Sequence, residues 1–101
     1  MASIMRGTDI PFDLKNFPEG ASIVRLDFAQ DKNIVVTKFA DDFTYDAETE
    51  TYNAVITQAE ALKFSDKKMI EVQLSFYING HAKRTHIATA TPDKILYEGV
   101  I

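Results

Sequence analysis

The side chains that could carry chemistry in this sequence are few and scattered. His81 and His86 are the only imidazoles. Five residues apart on an extended chain they point to opposite faces, so they cannot close on one metal ion, and both read as surface or rim residues. The densest carboxylate group is Asp41, Asp42, Asp46, Glu48 and Glu50. Ca²⁺ accepts such clusters from loops, but the spacing and the glycine of a calcium loop are missing. A solvated acidic loop that blunts a sheet edge is the stronger reading. Glu71 and Glu98 each stand without the second carboxylate a glycosidase needs. No serine sits in a Gly-x-Ser-x-Gly elbow, and Gly7, Gly20, Gly80 and Gly99 are too dispersed to form a phosphate-cradling loop. Cysteine is absent, which excludes disulfides, thiolate metal sites and thiol nucleophiles together. The expectation is a protein that is not an enzyme, with no catalytic residues, no cofactor and no metal.

Binding by stacking or by charge is the next possibility. Eleven aromatic residues are present, but they fall mostly on apolar strand faces, where filling a core is the ordinary use. Lys67–Lys68 and Lys83–Arg84 are two small basic pairs that read as hairpin tips. The formal net charge is −4, the wrong sign for nucleic acid or an anionic membrane. That charge is unevenly spread. Residues 1–50 hold five basic and ten acidic residues, whereas 51–101 hold six and five. A carbohydrate-binding surface built from Tyr45, Tyr52 or Tyr77 with the acidic loop is the alternative to a purely structural role.

The elements that must position these groups follow a period of two. Length and composition, 101 residues with 46% hydrophobic and 26% charged, describe one globular domain over 1–101. In 22–29 Val24, Leu26 and Phe28 alternate with Arg25 and Asp27, a strand with one face in the core. A polar turn at 30–33 and a β-branched, aromatic run at 34–39 complete a first hairpin. A short extended piece at 43–45 and a turn at 47–50 precede a strand at 51–57. Thr57 and Glu60 have capping-box spacing for a short corner helix, with Leu62 and Phe64 plugging the end of the core. The longest strand is expected over 70–78, where Ile70, Val72, Leu74, Phe76 and Ile78 alternate with polar residues. Asn79–Gly80 is a strong hairpin signal. A two-residue loop there opposes Ser75 to Arg84, Gln73 to His86, Val72 to Ile87 and Glu71 to Ala88. The segment 92–101 fits a short helix or an edge strand. Six or seven short strands and one corner helix predict an all-β, immunoglobulin-like antiparallel β-sandwich, with a small barrel as second choice.

The stretch 56–64, the strand opening at 70–74, Asn79–Gly80 and the closing 95–101 together resemble small prophage-encoded proteins of Gram-positive bacteria. Met5-Arg6-Gly7-Thr8 and 26–30 are similar to the opening and first strand of that group, so the resemblance runs from about Arg6 to the end. The chain departs from the group at Ala59 and Ala61 and along 81–86. The resemblance implies a non-enzymatic virion component of the tail, baseplate or head, made in the host cytoplasm. Its partners would be other phage structural proteins or further copies of itself, with no nucleic acid and no membrane. No stretch approaches the roughly 18 apolar residues of a spanning helix, and 1–7 has no apolar run of signal-peptide type. Two segments stand out for docking, an arm at 1–8 and a tail at 93–101. Ile4, Met5, Arg6, Tyr97, Val100 and Ile101 are the expected interface residues, unless both ends pair within the domain.

Overall fold

A computed structural model describes residues 2–15, 17–85 and 87–93, with the backbone alone described for 2–4 and 93. The elements in chain order are β1 (Ala2–Met5), β2 (Ile10–Leu14), β3 (Ala21–Gln30), β4 (Asn33–Phe39), β5 (Thr44–Asp46), β6 (Thr51–Ile56), α1 (Gln58–Ala61), β7 (Ile70–Ile78), β8 (His81–Arg84) and β9 (Ala88–Asp93). A 3₁₀ turn at Ala40–Asp42 links β4 to β5. The strands form two sheets. The wide sheet runs β1-β9-β7-β3-β4 across five positions, and β8 shares the edge of β7 with β9. The narrow sheet is β2-β6-β5. Pairing is antiparallel except between β1 and β9, which run parallel. Among the described residues the architecture is mostly β and sandwich-like, with one short helix.

Both two-residue hairpins follow from their turn chemistry. Asp31 and Lys32 (φ 51° and 66°) join β3 to β4, and Asn79 and Gly80 (φ 52° and 78°) join β7 to β8. Two consecutive positive φ values give the turn whose twist matches that of the flanking strands. Ile78 therefore opposes His81 and Ser75 opposes Arg84, as the sequence predicts. Beyond Arg84 the register moves by one residue. Val72 opposes Ala88 rather than Ile87, and Glu71 opposes Thr89 rather than Ala88. Thr85 absorbs the shift by bonding Leu74 twice, its N–H to the Leu74 carbonyl at 3.0 Å and its Oγ1 accepting from the Leu74 N–H at 3.0 Å. His86, expected opposite Gln73, lies outside the described residues.

A similar slip corrects the reading of β3. The pairing with β7 shifts between Ile23 and Arg25, a bulge that lets Ile23 and Leu26 face the same side three residues apart. Ile23 is buried at 9% exposure, whereas Val24, expected in the core, is 37% exposed. At ten residues β3 also exceeds the nine of β7, which the alternation made the longest. The segment 1–8, read as an arm, contributes β1, whose backbone pairs with β9 from Ala2 opposite Ala90 to Met5 opposite Asp93. β2 has no counterpart in the sequence reading. It is an edge strand, which is where its Pro11 is tolerated.

The core lies between the sheets and is closed at one end by the corner after β6. Ile56, Phe64 and Ile70 are fully buried, with Leu26, Phe28, Val36 and Leu74 packed around them. Phe12 of β2 meets Phe28 of β3 edge to face at 5.9 Å, a contact that ties the two sheets together. The predicted capping box forms. The Glu60 N–H donates to Thr57 Oγ1 at 3.2 Å, and the Thr57 N–H donates to Glu60 Oε1 at 2.9 Å. Phe64 plugs the core at 0% exposure, and Leu62 is half-buried.

Candidate functional site

Of the described side chains that sequence reading put forward, Tyr45, Tyr52, Asp46 and Glu50 come together at one cleft, and the others are scattered. Asp41 and Asp42 sit in the 3₁₀ turn, where Asp42 Oδ2 accepts the Phe39 N–H at 2.8 Å. Asp46 ends β5, and its Oδ1 accepts the Glu48 N–H at 3.0 Å. Two carboxylates of the acidic run thus shape the backbone around them. Among the described residues no group of three or more His, Asp or Glu is arranged to hold a metal ion. His81 is exposed at the start of β8, beside the exposed Lys83 and Arg84. Lys68 pairs with Asp31 at 2.7 Å on the surface. Glu71 is half-buried in β7, and Glu98 lies outside the described residues.

The predicted interface residues also separate. Met5 is 46% exposed at the end of β1. Arg6 is only 7% exposed, and its guanidinium donates to the carbonyl of Phe64 and, at 3.4 Å, to that of Leu62. Its job is to satisfy the carbonyls where the corner helix ends, which otherwise lack partners. The side chain of Ile4, and all of Tyr97, Val100 and Ile101, lie outside the described residues.

Arg6 is one of three buried polar side chains that hold the same corner. Gln30, 6% exposed, donates from Nε2 to the carbonyls of Ser65 (2.7 Å) and Lys68 (2.9 Å) and accepts the Ser65 N–H at 2.8 Å. Lys38, 7% exposed, donates to Glu60 Oε1 at 2.6 Å. Burial works against the charged Glu60, but the hydrogen bonds from Lys38 and Thr57 outweigh it and hold the carboxyl below its ordinary value. These groups are structural, and none of them was marked by the alternation that located the strands.

The tyrosines behave differently. Tyr45 of β5 opposes Tyr52 of β6, and their rings meet at 4.9 Å with a 50° tilt. Tyr52 touches Phe17 at 5.5 Å, and Phe17 touches Phe76 of β7 at 5.5 Å. An unbroken aromatic row therefore runs from the rim into the core, with Tyr45 52% exposed at its outer end. Around that end opens a cleft of about 790 Å³. Its walls come from the end of β2, the 17–21 crossing into β3, and the turn joining β5 to β6. Asp46 and Glu50 of the acidic run line it, joined by Asp13, Glu19 and a single cation, Lys15. Sequence reading missed Asp13, Lys15 and Glu19, because only the folding of the narrow sheet brings them to the tyrosines. Tyr77 stands apart, 50% exposed on β7 of the wide sheet.

A second polar assembly lies across the wide sheet. Arg25 donates to Asp27 Oδ1 from Nε at 3.0 Å and from a terminal nitrogen at 2.8 Å, and to Thr37 Oγ1 at 3.2 Å. Its guanidinium also stacks over Phe39, 5.3 Å from the ring centre. Phe39, Arg25, Ser75 and Arg84 lie in register across β4, β3, β7 and β8.

The chain matches no protein-family model, and no curated protein is significantly similar to it.

Proposed function

We propose that this protein is a non-enzymatic structural component of a bacteriophage particle, of the tail, baseplate or head, acting through protein–protein contacts. One observation carries the reading. Among the described residues, several that resemble prophage-encoded proteins do architectural work in this fold: Arg6 caps the corner, Thr57 and Glu60 form its capping box, and Asn79–Gly80 turns the β7–β8 hairpin. A group that shares such residues shares a scaffold and leaves its outer faces free to differ, as a family of assembly parts would. On this scaffold Phe39 and Tyr77 are each half-exposed on the wide sheet. The immunoglobulin-like relation of the sandwich belongs to the same proposal, supported by two packed sheets with a shared aromatic core.

Mass spectrometry of purified particles from the host strain tests the assignment. The protein is expected at a stoichiometry of several copies per particle. Its absence from intact particles would overturn the reading.

A further inference from the structure

We propose that the cleft beside Tyr45 is a binding site for a neutral or amino-bearing saccharide, independently of whether the protein belongs to a particle. A sugar ring presents two kinds of surface, a flat C–H face that rests on an aromatic ring and an edge of hydroxyls that donate to acceptors. The cleft supplies both. Tyr45 is 52% exposed, and its ring rests against Tyr52, which packs in turn on Phe17. Beside it stand Asp13, Glu19 and Glu50, whose side chains make no hydrogen bond among the described residues. Carboxylates are acceptors only, so they suit hydroxyl and ammonium donors.

Size and charge narrow the ligand further. About 790 Å³ falls within the range of small-molecule clefts and has room for more than one sugar ring. Four carboxylates against one lysine make the walls negative, which repels sialylated, sulfated or phosphorylated glycans and favours neutral or amino sugars. The aromatic row continues into the core through Phe17 and Phe76, so the stacking ring is held in place before a ligand arrives. Tyr77, on the other sheet, takes no part.

A glycan array carrying neutral, amino-bearing and anionic oligosaccharides tests this, with hits measured by titration calorimetry on the full chain. Binding to neutral or amino-bearing members is expected, with anionic members left unbound. Tyr45→Ala should weaken it at least about tenfold while shifting the melting temperature by no more than a few degrees, because the ring is already half in water. Tyr77→Ala should leave affinity as it is, and Asp13→Asn should lower it. An array without a binder, a preference for anionic glycans, or binding that survives Tyr45→Ala would each overturn the proposal. So would a cationic peptide or a second copy of the chain occupying the cleft while the array stays blank.

Discussion

Gln30 shows how much of this fold rests on single polar groups. It is the last residue of β3, yet its amide reaches across to bond three backbone groups of the segment after α1. Arg6 and Lys38 do the same work from β1's end and from β4. Each contact joins residues at least 22 positions apart, so no local pattern announces it. The Lys38–Glu60 pair yields a prediction in pH. The side chains are 9% and 26% exposed, and the Glu60 carboxyl titrates below its ordinary 4.5. A depressed carboxyl pKa adds stability that is present above the unfolded value and is lost as pH falls through the lower folded value. Glu60→Gln should therefore destabilise the protein by about 1–3 kcal/mol at pH 7, by leaving the Lys38 ammonium nearly buried without its counter-ion. Thermal melts should bring variant and parent together as the pH drops below 4.5 and the Glu60 carboxyl protonates. A gap that stays the same size at pH values well below 4.5 would contradict the assignment.

Elements were the most legible scale. The β3–β4 and β7–β8 hairpins, the short extended piece near Tyr45, the strand at Thr51–Ile56 and the capping box all follow from alternation and turn residues. The errors cluster at bulges. Alternation alone puts Val24 inside and Ile23 outside, because nothing in the residue types marks the extra residue that reverses them. The same holds at Thr85, where one added residue moves Val72 from Ile87 to Ala88. Substitution tests the first of these directly. Ile23→Ala should cost about 2–4 kcal/mol as a core truncation, while Val24→Ala should cost less than about 1 kcal/mol. Chemical denaturation of the two variants measures the difference, and equal losses would place the bulge elsewhere.

At the scale of the whole molecule the inequality of the two sheets matters most. A wide sheet faces a narrow one of three strands, so β8 is exposed at every residue, and the outer surface of the wide sheet presents Phe39, Arg25 and Tyr77. If the protein works by contact, this surface is where variants should act. Phe39→Ala with Tyr77→Ala should reduce incorporation into particles severalfold while shifting the melting temperature by no more than a few degrees. Normal incorporation of the double variant would move the contact to another face. The sequence by itself determined the strand period, the corner, both tight turns and the acidity of the first half, since each is set by neighbours along the chain. It left the aromatic–carboxylate cleft and the buried clasp of Arg6, Gln30 and Lys38 undecided. Those depend on which strands pair and on where a single extra residue enters a ladder. Such choices are made by long-range packing, and local residue types carry no record of them.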